Sequence, residues 1–194
     1  MMMTTRARPD WNRLFETAAS QSGYFTTPQA ADAGFSTHLL YKHIRAGRIT
    51  RAQRAIYRLV HFPADAHEEF VTAWLWSEQA GVISHESALA LHDLSDVLPS
   101  RIHLTVPAIW RERRFRVPSG VVLHYSDVSP RDRTWFGAVP TTNALRTLVD
   151  CAQDSLSPDL IRQAAQQAVR RGLVTPDDLA SVATILEPFG GLVA

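Results

Sequence analysis

Lysine is almost missing from this chain of 194 residues: Lys42 stands alone against nineteen arginines. A restriction-type nuclease core places an acidic-x-Lys triplet on a strand beside a further aspartate, and no lysine follows Lys42. An endonuclease would therefore lack its usual charge partner for water and phosphate. Cysteine is as scarce. A single Cys151 excludes an internal disulfide and fits a reducing compartment. It falls in the apolar pattern of a helix, where a thiol serves as a small core group. No run approaches the roughly 20 uninterrupted apolar residues of a membrane helix. The opening "MMMTTRARPDWNRLF" also lacks the apolar centre of a signal peptide, so a cytoplasmic protein without membrane contact is expected. There is no glycine-rich phosphate loop and no Gly-x-Ser-x-Gly turn. Neither an enzyme nor a cofactor is expected.

Positive charge is present but unevenly placed. Residues 1–62 hold nine Lys/Arg against three Asp/Glu, a net of +6, and residues 63–194 hold eleven against sixteen, a net of −5. The whole chain nets only +1. Such asymmetry points to a polyanion-binding module joined to something else. Five of the arginines and Lys42 crowd into "FSTHLLYKHIRAGRITRAQRAIYRLV", residues 35–60.

The punctuation of that region predicts three short helices and a hairpin. Asp10 caps the first helix, whose Trp11, Leu14, Phe15 and Ala18 recur at helical spacing, and Gly23 stops it. Thr27 caps a second helix, with Pro28 at its first position and Gly34 after its end. Ser36 caps the third, which ends at Gly47, and Phe35 and Leu40 stand where a hydrophobic staple would set its angle of approach. Helices joined this closely make a helix-turn-helix. At about 100° per residue, Leu40 and Ile44 of the third helix point inward, with Thr37 and His43 beside them. His38, Tyr41, Lys42 and Arg45 face outward, supplying donors, charge and a ring, the combination that reads base edges and grips phosphates. Thr37, at the margin, is counted with them. The β-formers Ile49, Ile56, Tyr57, Leu59 and Val60 flank a polar turn and predict a wing carrying Arg48, Arg51, Arg54 and Arg58. If four to six of these residues neutralise phosphates, affinity falls with log salt at a slope of about −3.6 to −5.4. One module covers a half-site, so a repeated operator on double-stranded DNA is expected. A solvated basic surface, or one that meets an acidic protein, is the alternative reading.

Beyond Pro63 the pattern changes. A helix is expected over about 66–80, and another after Ser84 in "VISHESALALHDL". Strands come next in "RIHLTVP", "VVLHYSDV" and "WFGAVPT". Thr142 then caps "NALRTLVDCA", and helices start at Ser157-Pro158 and Thr175-Pro176. Helices, then strands, then helices argue for an α+β fold. The division expected is a winged helix-turn-helix domain over 1–63 and a mixed α+β domain, for partner interaction, over 64–194.

Four stretches carry a family resemblance: "GYFTTPQAADAGFSTHLLYKHIRAGRITRAQRAIYRL", "VISHESALALHDLSDVLPSRIHLTVP", "GAVPTTNALRTLVDCA" and "QAVRRGLVTPDDL". Together they make the chain resemble the AbiEi antitoxins of abortive-infection (type IV) toxin–antitoxin systems. The resemblance implies a winged helix that represses its own operon and a second domain that counters a nucleotidyltransferase-type toxin. A stand-alone regulator, whose second domain dimerises or senses a ligand, is the alternative. The family's wing commonly carries glycine where this chain has Ala55, and a turn of positive φ is costly there for alanine. The chain also stops soon after the last predicted helix, so the longer C-terminal portion of some relatives is not expected.

The remaining signals are weak. His85 and His92 lie on one helix face but about 10.5 Å apart along its axis, too far for one ion. His103 and His124 fall on neighbouring strands without an evident further ligand, so no metal site is expected. "RERRF", Arg111 to Phe115, reads as a charged edge or loop. The aromatic residues Trp76, Trp110, Trp135 and Phe136 suit either a partner surface or a core.

Overall fold

Asp10 accepts the backbone N–H of Arg13 at 3.1 Å and starts helix α1 (Trp11–Ala19), which buries Leu14 and Ala18 completely. In the computed structural model, which describes residues 8–192, this is the first element of a unit spanning Met1–Gln79; a second unit spans Ala80–Ala194. The expectation that the extreme N-terminus carries no signal segment falls partly outside the described residues.

The rest of the first unit is strand β1 (Tyr24–Thr26), helix α2 (Thr27–Asp32), helix α3 (Thr37–Arg45), the hairpin β2 (Ile49–Gln53) and β3 (Ile56–Leu59), and helix α4 (Glu68–Trp76). The strands form an antiparallel sheet in the order β1-β3-β2. This is a winged helix. Leu14, Phe25, Phe35, Leu40, Ile49, Tyr57 and Leu59 make its core. Ser36 caps α3 through the N–H of Leu39, as expected, but α2 is capped one residue earlier than expected. Thr26 accepts from Gln29, whose side chain returns to the Thr26 N–H at 2.8 Å, so the capping box spans 26–29 and Thr27 is already helical.

One glycine is indispensable here. Gly23 has φ +87, and a Cβ at this position would lie 2.6 Å from the Phe62 ring. Only hydrogen fits both the backbone angle and the space.

The division falls after Gln79 rather than at 63. Helix α4, assigned to the second domain by its composition, docks behind the wing sheet instead. Tyr24 donates its hydroxyl to Glu68 at 2.8 Å, Gln53 donates to the carbonyl of Thr72 at 3.1 Å, and Ser22 donates to Asp65 at 2.7 Å. Gln79 closes the unit by donating to Gln21 at 2.8 Å. The pattern break at Pro63 marks the end of a strand, not of a folding unit.

The second unit is mixed α+β. Its elements are β4 (Val82–Ile83), α5 (His85–Leu91), β5 (Ile102–Val106), β6 (Val121–Tyr125), β7 (Arg133–Phe136), β8 (Val139–Thr142), α6 (Ala144–Gln153), α7 (Pro158–Arg170) and α8 (Ala180–Leu186). The sheet runs β6-β5-β4-β8-β7, with β5 and β6 parallel, β4 parallel to β8, and the other pairs antiparallel. "WFGAVPT" is a hairpin, not one strand: it turns at Gly137, where φ is +54. The helix after it is capped by Asn143, through the N–H of Arg146 at 2.9 Å, because Thr142 still belongs to β8. "RERRF" lies in a 3-10 turn (Ala108–Glu112) and irregular chain, with Arg113 stacked 4.2 Å over the Trp110 ring. Leu89, Leu94, Leu148, Cys151, Ile161, Ala164, Ala168 and Val182 belong to its core. Burial pushes the Cys151 thiol well above its usual range, which leaves it an inert core group.

Candidate nucleic-acid interface

Helix α3 is sorted by its own spacing into two faces. Leu40 and His43 are buried and Ile44 is half-buried, while Thr37, His38, Tyr41, Lys42 and Arg45 are all exposed. Tyr41 keeps 56% of its surface open, which is unusual for a ring that could have entered the core. His43 shows why the inner face is fixed. Its ring meets Trp11 at 4.7 Å and Phe35 at 5.9 Å, both edge to face, and its Nδ1 has no hydrogen-bond partner among the described residues. Burial first, then Arg48 and Lys42, hold its pKa below 6.5. A charged ring would be out of place there.

The wing stands directly behind this helix. Arg48 lies in the connection, its N–H bonded to the His43 carbonyl at 3.1 Å and its own carbonyl accepting from Val60 at 3.1 Å. Arg51 pairs in register with Tyr57, and Tyr57 with Phe25, so Arg51 stands on the sheet face that carries the helical core. A bulge between Arg51 and Gln53 twists the strand toward its tip. Arg54 and Ala55 form the turn, both exposed. Ala55 has φ +63, the left-handed conformation expected from its place in the turn. The tip is still anchored, since Thr27 donates its N–H to the Ala55 carbonyl at 2.9 Å.

Five cations, Lys42, Arg45, Arg48, Arg51 and Arg54, thus lie exposed on α3, the connection and the wing. Among the described residues, none of them forms an ion pair with a carboxylate. Arg58 does not belong with them. It is half-buried on the opposite face of the sheet, where it donates to Glu68 at 3.0 Å and to the carbonyls of Phe62 at 3.0 Å and Pro63 at 3.2 Å. The alternation of a strand decides this: Arg58 is in register with Tyr24 and Thr50, one residue out of phase with Arg51. Sequence position groups it with the wing cations and gives no sign of Glu68, 10 residues on, as its partner. The same network sets its neighbours' acidities. The hydrogen bond from Tyr24 first, then those from Asp65 and Arg58, lower the Glu68 pKa, while burial and Glu68 push the Tyr24 phenol up to about 12. This is a brace that holds the wing sheet to α4.

No metal site is expected from the sequence. Yet in the second unit the fold gathers His85, His124 and Asp154, with one potential ligand atom of each within 4.8 Å of the others. No spacing rule reaches across 69 residues from His85 to Asp154, so the local pattern holds no signal of this cluster.

The comparisons with known proteins bear on the first unit. Residues 12–60 match the family model described as "Transcriptional regulator, AbiEi antitoxin". The match lies within the first unit and is to a regulator module of that family. The family's description is of a transcriptional regulator, not of an enzyme. No curated protein matches the chain. Among solved structures, the chain is similar to the RV2827C protein from Mycobacterium tuberculosis, at 15% identity and a TM-score of 0.46, over 94% of this chain and 82% of that one. Among the described residues, no helix is long and apolar enough to cross a membrane.

Proposed function

We propose that the protein is the DNA-binding antitoxin of an AbiEi-like toxin–antitoxin pair, which represses its own operon and counters a nucleotidyltransferase-type toxin. The observation that carries the DNA-binding part is the set of exposed, unpaired cations on α3 and the wing of an AbiEi-type module. Helix α3 would lie in the major groove, with Thr37, His38, Tyr41, Lys42 and Arg45 toward base edges and flanking phosphates. Arg48, Arg51 and Arg54 would hold the backbone or an adjacent minor groove. Arg58 has no part in DNA binding, because the brace holds it on the other side of the sheet. The toxin-directed role of residues 80–194 rests on the resemblance of "VISHESALALHDL…IHLTVP" to the family.

The first test is binding to the DNA upstream of the protein's own gene across a salt series. Five phosphate contacts give a slope of about −4.5 in log affinity against log salt, and removing one cation reduces it by about 1. Lys42→Ala with Arg45→Ala is expected to abolish specific binding, at about 1–3 kcal/mol for each base-edge hydrogen-bonding partner removed. Unchanged operator binding in that double variant would refute α3 as the reading helix. Co-expression with the neighbouring gene tests the toxin. Rescue of growth supports the antitoxin, and its failure with intact operator binding leaves a stand-alone regulator.

A further inference from the structure

Helix α5 begins in a strained way. His85, its first residue, has φ +51, in the left-handed region that a residue with a Cβ avoids. The strain places its ring flat against that of His124, with centroids 3.5 Å apart and planes 13° from parallel. His103 completes the group, its Nδ1 lying 3.0 Å from His124 Nε2. Nothing in the packing of an apolar core calls for three stacked imidazoles beside a carboxylate.

We propose that His85, His124 and Asp154 form a binding site for a divalent first-row transition metal, Zn2+ in the first place. One nitrogen or oxygen of each lies within 4.8 Å of the other two, a span that small side-chain movements close onto an ion bound at about 2.0–2.2 Å. The remaining ring nitrogens are already occupied, as the outer contacts of metal-binding histidines are. Ser84 Oγ lies 2.9 Å from His85 Nδ1 and itself accepts from Thr105 Oγ1 at 2.7 Å, which leaves His85 Nε2 for the ion. His103 takes His124 Nε2, which leaves His124 Nδ1. His103 is thus a positioning residue. Its strand and that of His124 are adjacent and parallel, so the sheet fixes the two rings on one face.

The burial of the three groups is graded. His85 is buried, His124 is half-buried and Asp154, at the end of α6, is exposed. An ion would enter on the Asp154 side and keep water at its open position. Two imidazoles and one carboxylate suit Zn2+ better than the harder Mg2+ or Ca2+. Bound there, the metal would tie the start of α5, strand β6 and the end of α6 together, three elements joined only by long connections. The site is independent of what the first unit binds.

The test uses the full chain, stripped with a chelator and titrated with Zn2+ against a chromophoric competitor. One Zn2+ per chain is expected, with a higher unfolding temperature for the loaded protein. Asp154→Asn, at an exposed position that the fold does not depend on, should weaken binding by at least the roughly 10–100-fold that outer contacts alone are worth. His124→Ala should abolish it, and His38→Ala, in the first unit, should leave it unchanged. Bound Co2+ should give visible d–d bands that Asp154→Asn alters, so the result stands even if His124→Ala does not fold. No stoichiometric uptake, or uptake equal in wild type, Asp154→Asn and His85→Ala, would overturn the proposal.

Discussion

Among the described residues, three buried polar side chains, Gln21, His43 and Ser77, belong to the first unit, and nine, from Ser84 to Asp150, belong to the second. The cations on α3 and the wing are exposed, whereas His85, His103, Thr105, Thr141, Thr142, Thr147 and Asp150 of the second unit are buried. Asp150 illustrates the difference. It is 5% exposed and bonded to Arg146 at 2.7 Å through one oxygen, while the other has no partner among the described residues. Burial first raises its pKa, against the opposing effect of Arg146. The first unit thus keeps its charge at the surface, where a large charged partner can meet it. The second unit holds buried polar groups, some paired locally, as Arg146 with Asp150, and some across distant segments, as Thr105 with Ser84 and His103 with Ser87.

The first unit is most vulnerable at Gly23. Alanine there must hold φ +87 and overlap the Phe62 ring, so Gly23→Ala should destabilise the first unit by about 2–4 kcal/mol. Amide exchange resolved by peptide should show protection lost over residues 8–79 and kept in the sheet of the second unit. Protection lost equally in both would mean that the two do not unfold separately.

Glu68→Ala tests whether the brace is structural and separate from the DNA face. It strips Arg58 and Tyr24 of their partner at once and should cost about 1.5–3 kcal/mol, measured by urea unfolding. The salt slope of DNA binding should not change, because Glu68 and Arg58 lie on the face of the sheet opposite Arg51. A slope reduced by about 1 in Arg58→Ala would return that residue to the interface.

Ala55→Gly should stabilise the first unit by about 1 kcal/mol, since glycine adopts φ +63 without the penalty alanine bears. A drop in unfolding temperature would show that the flexibility gained in the unfolded chain outweighs the relief of strain.

The smallest expected effect is a pH dependence in the first unit. His43 packs against Trp11 and Phe35, and burial first, then Arg48 and Lys42, oppose its charged form. The unfolded chain takes up this proton near the ordinary 6.5, the folded chain only at lower pH. The contribution of the neutral ring is therefore complete above about 6.5 and is lost as pH falls below it. His43→Phe should flatten that part of the stability profile; an unchanged profile would assign it to other groups.

Local patterning is enough to specify the winged helix and most of its outward face. Caps at Asp10 and Ser36, the stop at Gly47 and the 3.6-residue period act over one or two turns, so Tyr41, Lys42 and Arg45 could be placed from neighbours alone. It also determined the α+β character of the second unit, and the strain at Ala55. Shifts of one residue, Thr26 for Thr27 and Asn143 for Thr142, arose because several hydroxyl and amide groups near a helix start can serve as cap, and the strand before it decides which. Which side of the sheet Arg58 occupies, the docking of α4 with the wing and the meeting of His85, His124 and Asp154 become visible only in the folded chain. Each of these depends on register or on the approach of distant segments, and side-chain spacing along a chain carries no information about partners that only folding brings within a few ångströms.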